Sequence, residues 1–514
     1  MSTLKDKLIK QLNIPRINLS RYKLTPSLIK LIPLNLVEKY KVIPVSKIGN
    51  TLTVAMADPL NIFILEDLKI ATNCEIKGVL ASPQDLSAAI EKYYKKKEKK
   101  LEEVIEEAKE DIEIIEETKE EAIGEIAESS RQVPIIKMVN LIIAEALRSR
   151  ASDIHLEPYE DNLRVRYRID GRLQEKIKIP KQAQAAILAR LKIMSNLDIT
   201  EHRLPQDGRF SIRSEGRDID FRVSFLPISF GEKVVLRVLD KQSISVGLQN
   251  LGFSEYSFRR FEKGIAAPYG IILITGPTGS GKSTTLYSIL NRLNTANRNI
   301  ITIEDPVEYQ LEGITQIPTQ PDIGFDFAQG LRSLLRQNPD VIMIGEIRDQ
   351  ETADVAIKAS LTGQLIFSTL HTNDAASAFT RLIDMGIEPF LLSSAVVMVV
   401  AQRLTRKICP YCKEEVKIPS SVLKRVGLEG YSGKFYQGKG CPRCNNTGYY
   451  GRSAVLEVLL VDEKIKEMVI RGSSADKIKE YAISRGMRTL LEDGLEKVKQ
   501  GETTLEEVIR VAGD

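Results

Sequence analysis

Apolar and polar positions follow several rhythms along this chain of 514 residues, and each rhythm predicts a different kind of element. In residues 1–90, Pro26 to Lys39 keeps helical spacing. Lys41-Val42-Ile43-Pro44-Val45 and Thr51-Leu52-Thr53-Val54-Ala55 alternate as short strands. Charge then replaces pattern: Lys92 to Lys100 holds six Lys, and Leu101 to Glu128 holds 13 acidic residues against Lys109 and Lys119. Such a block buries little. Leu101, Val104, Ile105, Ala108, Ile112 and Ile115 still keep helical spacing, so 91–132 is expected to be a charged helical linker.

From 133 to 245 a helix, Val133 to Ser149, precedes strand-like alternation in Asp153–Glu157, Leu163–Asp170, Phe210–Arg213 and Asp218–Ser224. Turn pairs Asp170-Gly171, Asp207-Gly208 and Phe230-Gly231 punctuate it. From about 246 the order becomes apolar strand, glycine loop, helix, repeatedly, which is a parallel α/β layout. Residues 455–514 break into short helices. The last opens at Thr504 with Glu507 three positions on, the pattern of a capping box.

The sharpest chemistry lies in the parallel region. Gly276-Pro277-Thr278-Gly279-Ser280-Gly281-Lys282-Ser283 fits G-x-x-x-x-G-K-[ST], after the strand Ile271–Ile274 and before a helix from Thr284. Glycines let backbone N–H groups turn in around phosphate, and the helix N-terminus adds partial positive charge. Lys282 reaches the β/γ-phosphates and Ser283 offers its hydroxyl to Mg²⁺. Chance gives about 0.02 such hits in a chain this long, so a nucleotide site is expected over Gly276–Thr284.

Three strand ends add to it. Asp340–Ile344 runs into Gly345-Glu346, where glycine replaces the usual metal-binding acid and Glu346 is left to orient or activate water. Ile301-Thr302-Ile303 leads to Glu304-Asp305-Pro306-Val307-Glu308, placing Glu304 or Glu308 within reach of Mg²⁺ or water in the crevice of an open α/β sheet. Leu365–Leu370 delivers His371 to the same edge, a candidate sensor of the γ-phosphate.

Cysteine spacing points to metal. Four of five cysteines form Cys409-Pro-Tyr-Cys412 and Cys441-Pro-Arg-Cys444, the pattern of a Cys₄ zinc site with an excursion from Ser420 to Tyr436. Cys74 stands alone and takes no role.

Composition narrows the classes. Lys+Arg 73 against Asp+Glu 69 leaves +4, with no Trp and 6% aromatic residues, which disfavours a nucleic-acid binder. Phe390 to Ala401 is too short to span a bilayer and is broken by Ser393 and Ser394, and Met1 to Pro15 has no apolar signal core. A cytosolic chain of three to four domains is expected.

Together the phosphate loop 276–283, the aspartate box 302–308, the degenerate Walker B 340–349 and the histidine box at His371 resemble the secretion ATPase superfamily, its type II secretion and type IV pilus assembly branch. Ala151–Pro158, Arg203–Arg209 and Gly231–Arg237 look like that family's second N-terminal domain. The resemblance implies a RecA-like P-loop ATPase core over 246–514, with a zinc element at 405–450 and C-terminal helices at 455–514. It also implies a PAS-like α+β domain over 133–245 and a small α+β adaptor over 1–90. Arg209 and Arg222 match family arginines that reach the nucleotide's phosphates, with Arg237 a weaker candidate, and Arg348, after the glutamate, would support the site. Asp153, His155 and Glu157, which alternate like a metal site, are structural by the same comparison.

The implied protein is a cytoplasmic homo-hexameric ATPase using ATP, Mg²⁺ and Zn²⁺. Residues 1–90 would dock it to an inner-membrane platform, with no nucleic acid. The repeated R-L-G-x-x-L-type motifs by which some relatives bind a cyclic dinucleotide are absent; Arg21-Tyr22-Lys23-Leu24 is a distant trace. A nucleic-acid translocase and a nucleotide-gated scaffold are the alternative readings.

Overall fold

The computed structural model describes residues 15–90, 112–114, 132–240 and 247–513, apart from 18, 20–24, 30, 33, 60, 73 and 215. The Lys-rich knot and the acidic run therefore lie outside the described residues, except at Ile112–Ile114. There the expected helix gives way to a strand, β4, which pairs antiparallel with Ile212–Ser214. The chain divides into two compact units, Met1–Asp111 and Ile112–Asp514.

The first unit carries strands β1 (Ile43–Ile48), β2 (Thr51–Met56) and β3 (Glu75–Leu80). β1 and β2 form an antiparallel hairpin, and β2 and β3 run parallel through the helix Ile62–Thr72. The helix expected over Pro26–Lys39 is two, Pro26–Ile29 and Leu34–Tyr40. Pro33 in the sequence explains the break, because a proline disfavours helical backbone at the residue before it. Leu52, Val54, Val79, Leu86 and Cys74 close the core.

The second unit opens with a strand-rich domain. The helix Gln132–Arg148 leads into β5 (Ala151–Pro158), β6 (Asn162–Ile169) and β7 (Arg172–Pro180). After the helix Lys181–Met194 come β8 (Gln206–Ser214), β9 (Arg217–Ile228) and β10 (Gly231–Asp240). The sheet order is β4-β8-β9-β10-β5-β6-β7, so the first and last long strands lie side by side at its centre. Alternation does what period two demands: Leu163, Val165, Tyr167, Phe221, Val223 and Leu236 pack with both helices.

The other face is charged and internally paired. Asp153 meets Arg168 (3.1 Å) and Arg237 (3.2 Å), while Glu157 meets Arg164 (2.8 Å) and Arg166 (2.6 Å). Burial pushes the Glu157 carboxyl up, but the two guanidiniums prevail and hold it at about 2. Both carboxylates are thus committed to arginines, in keeping with a structural role for that strand.

The ATPase-like domain is built on β11 (Gly270–Thr275), β12 (Ile300–Glu304), β13 (Thr315–Pro318), β14 (Val341–Ile344), β15 (Leu365–Leu370), β16 (Val396–Ile408) and β19 (Tyr449–Leu460). Their order is β13-β12-β14-β15-β11-β16-β19, parallel except for β19. Its central strands β11, β14 and β15 are largely apolar because both faces are covered. Ile271 and Leu273 enter one core with Ile344 and Ile366, whereas Ile272 and Ile274 enter the other with Met343 and Phe367. The segment Phe390–Ala401 spans the end of a short helix, Pro389–Ala395, and the start of β16. Among the described residues no helix is long and apolar enough to cross a membrane.

The excursion between the cysteine pairs holds β17 (Lys413–Val416), the helix Ser420–Arg425 and the antiparallel return β18 (Phe435–Gly438). Leu428 and Phe435 pack on Leu495, Val498, Leu505 and Val508 of the last two helices, Leu490–Lys499 and Leu505–Ala512. The capping box expected at Thr504 is half made. Thr504 accepts from the Glu507 N–H (3.2 Å), but the Glu507 carboxylate turns to Arg406 (2.8 Å) and Arg510 (2.5 Å) instead. A complete box forms at Thr489 and Glu492.

Candidate active site and cysteine cluster

Parallel order brings the chemistry to one edge. In β12, β14, β15 and β11, four neighbours in the sheet, the C-terminal ends carry Glu304, Gly345-Glu346, His371 and the loop from Gly276. They line a cleft of about 400 Å³ with Thr278, Gly279, Gly281, Lys282, Ser283 and Thr284, a size suited to a small-molecule ligand.

The loop needs its glycines. Gly276 has φ 144°, and a Cβ there would stand 2.5 Å from the Gln402 carbonyl. Gly281, at φ 88°, starts the helix Lys282–Leu293. Lys282 Nζ donates to the loop's own carbonyls at Gly276 (2.8 Å) and Pro277 (3.2 Å). Burial lowers its pKa, partly offset by the Glu346 charge. Among the described residues its cation faces no carboxylate at contact distance, and phosphate would displace two weak acceptors rather than break an ion pair.

Glu346 stands between Arg348 and His371. Arg348 lies 2.5 Å from one oxygen and His371 Nε2 lies 3.5 Å from the other. Burial works to raise its pKa, but Arg348 above all, then His371 and Lys282, hold it below the usual carboxylate range. It is ionised at neutral pH and can accept a proton or a hydrogen bond from water. Arg348 also reaches Asp305 (3.5 Å).

Glu304 is 4% exposed although it lines the cleft. Oε1 accepts from Thr302 Oγ1 (2.6 Å) and Gln316 Nε2 (3.1 Å), and Oε2 accepts from the Tyr287 hydroxyl. Its carboxylate is fixed, with one lone-pair position left.

The expected phosphate arginines are elsewhere. Arg222, on β9, pairs with Glu308 (3.0 Å) and donates to the Val307 carbonyl (3.0 Å), so it holds the aspartate box and does not line the cleft. Arg209 faces Arg222 across the β8–β9 ladder, also outside the cleft.

Sequence reasoning missed the contribution of β16 and β19, which brace the loop and add to the lining. Gln402 is 1% exposed; it donates to the Ser280 carbonyl (2.8 Å) and accepts from Thr285 Oγ1 (2.9 Å). Arg403 donates to the carbonyls of Gln402 (3.1 Å) and Asn373 (2.7 Å), tying β16 to the histidine segment. Leu404 and Arg452 also line the cleft. The only signal in the sequence was their strand membership, more than 100 residues from the loop.

The four cysteines come together. Their Sγ atoms all lie within 4.8 Å, with Cys409–Cys441 and Cys412–Cys444 at 3.9 Å and Cys441–Cys444 at 3.7 Å. Tetrahedral zinc with Zn–S bonds of about 2.3 Å sets sulfurs about 3.8 Å apart, so the donor set fits that ion, and it is far too wide for disulfides. Burial pushes the Cys412 thiol up to about 12. Cys444, against the same push, is brought down to about 7 by the N–H groups of Cys441 and Gly448.

Known proteins match on both units. Residues 128–510 fit the family model described as type II/IV secretion system protein, and residues 12–100 fit the MshEN domain. The type IV pilus assembly ATPase PilB of Myxococcus xanthus is 48% identical over 515 residues, covering 99% of this chain and 90% of that one. The type II secretion system protein E of Xanthomonas campestris is 42% identical over 486 residues, covering 94% and 84%. Among solved structures, the ATPase DotB of Yersinia pseudotuberculosis aligns at a TM-score of 0.56 and 19% identity over 73% of this chain and 93% of that one, a likeness of fold.

Proposed function

Because this chain belongs to the type II/IV secretion system protein family, we propose that it is a cytoplasmic motor that hydrolyses MgATP to drive pilus or pseudopilus assembly. The observation that carries the reading is the convergence of Lys282, Ser283, Glu346 and His371 on one cleft at adjacent strand ends. Lys282 and the loop N–H groups take the β- and γ-phosphates, and Ser283 meets the magnesium that arrives with ATP. Glu346 orients the attacking water, Glu304 supplies fixed negative charge behind it, and His371 reads the γ-phosphate.

Arg222 and Arg209 approach the phosphates when the strand-rich domain closes, and Arg222 then exchanges Glu308 for the nucleotide. The adjacency of β5 and β10 supports the PAS-like reading of that domain. The cysteine cluster, being closed, would hold zinc structurally. A homo-hexamer docked through residues 1–90 to an inner-membrane platform completes the proposed motor.

Steady-state phosphate release tests the site. Lys282→Ala and Glu346→Gln are each expected to lose at least 100-fold in rate at unchanged thermal stability, and wild-type turnover in either overturns the assignment. Stimulation by DNA or RNA would favour a translocase instead.

A further inference from the structure

Tyr287 lies on the helix that begins with Lys282, one turn beyond Ser283, and is 1% exposed. A buried phenol needs a partner for its hydroxyl, and this one has two. It donates to Glu304 Oε2 and accepts from the Glu308 N–H (3.4 Å). The ring is fixed edge-on against Tyr309, with centroids 4.5 Å apart. One oxygen thus joins the helix carrying the phosphate-loop lysine to both ends of the carboxylate segment 304–308.

The other donors to Glu304 come from different places. Thr302 sits on the same strand and Gln316 on β13, which itself follows that strand. Tyr287 alone, among the three, ties Glu304 to the phosphate-loop helix. Burial, then the neighbouring carboxylate, pushes the phenol pKa upward, so the hydroxyl stays a donor at any working pH.

We propose that Tyr287 is a positioning residue for ATP hydrolysis, whose hydroxyl sets Glu304 in register with Lys282 and the bound phosphates. The inference deepens the reading of Glu304 given above. Without the hydroxyl, Oε2 loses its donor in a dry site, and the carboxylate is held from the strand side only. Substrate binding, which depends on the loop N–H groups, Lys282 and Ser283, is left in place. The effect therefore falls on turnover.

The test is Tyr287→Phe, which keeps the ring and its packing, in the full chain with and without Glu304→Gln. We expect kcat to fall about tenfold with KM for ATP within twofold. We also expect the loss to vanish in the Glu304→Gln background. Unchanged kcat, a rise in KM that accounts for the loss, or an equal loss in both backgrounds would overturn the role of Tyr287. A Glu304→Gln variant with wild-type turnover would instead overturn the assignment of Glu304, whatever Tyr287→Phe does. Melting temperatures of all four proteins within a few degrees keep the comparison on turnover.

Discussion

Strand β16 serves two charged sites three residues apart. At Gln402 and Arg403 it braces the phosphate loop and the histidine segment through backbone carbonyls. At Arg406 it enters an ionic knot with Glu507 and Arg510, where Glu507 is 1% exposed and Arg406 also stacks on Tyr449 at 3.8 Å. In the knot the carboxylate meets two guanidiniums and a backbone N–H (3.1 Å). In the cleft Lys282 rests on carbonyls of its own loop. The contrast shows how one strand can carry both a finished structure and an unfinished one. Satisfied charge stabilises the fold, while charge held on weak partners is available to a ligand.

The strongest way to break that contrast is to remove a cysteine from the cluster at the end of β16. Cys441→Ser should abolish tight zinc binding and lower stability by several kcal/mol, since a structural zinc site contributes on the order of 10 kcal/mol. Metal content and melting temperature measure it, and a chelator should reproduce it in the native chain. A variant that keeps both stability and metal would show that the cluster is not a structural zinc site.

The knot should respond next. Burial pushes Glu507 up, but Arg510 and Arg406 hold it at about 2, against an ordinary 4.5. A lowered carboxyl pKa stabilises the fold fully above the unfolded value near 4.5, and that contribution disappears as pH falls through about 2. The interval corresponds to about 3 kcal/mol. Glu507→Gln should therefore lower stability by about that much at pH 7, and the gap from wild type should close as acid is added. A gap independent of pH would mean the loss comes from packing and not from charge.

The smallest effect is expected at the joint between strand-rich domain and aspartate box. Glu308→Gln leaves Arg222 with a carbonyl and a neutral amide, which frees it for phosphate. ATP should bind about two- to fivefold more tightly, a gain of under 1 kcal/mol, as befits a partly exposed pair. Nucleotide titration measures it. Weaker binding would indicate that Glu308 itself supports the nucleotide.

How much of this was legible in the sequence depended on distance along the chain. The phosphate loop is contiguous, and Glu346 and His371 each follow an apolar run directly, so a strand-end rule placed them. Gln402 and Arg403 escaped because their partners, Ser280 and Asn373, are 122 and 30 residues away. Tyr287 looked like one more apolar position on a helix. At Thr504 the local pattern was right for the N–H and wrong for the carboxylate, because two arginines outbid the helix end. At Ile112 helical spacing in a charged run yielded to an available sheet edge on β8.

β16 is 13 residues long, about 43 Å of extended chain, and it ends at the residue before Cys409. It is bonded to β11 over Val396–Ala401 and to β19 from Met398 onward, and a strand so bonded resists stretching far better than a loop. Over Met398–Arg406, where the β19 ladder is regular, it therefore behaves as a stiff rod. A tilt imposed at the phosphate loop would be carried along the strand from Gln402 to Arg406 and then past the bulge between Arg406 and Ile408 to the cysteine cluster. In the motor proposed above, that element would serve as a drive shaft. The ring of cysteines at its tip would then matter less for what it binds than for keeping the far end of the shaft from fraying.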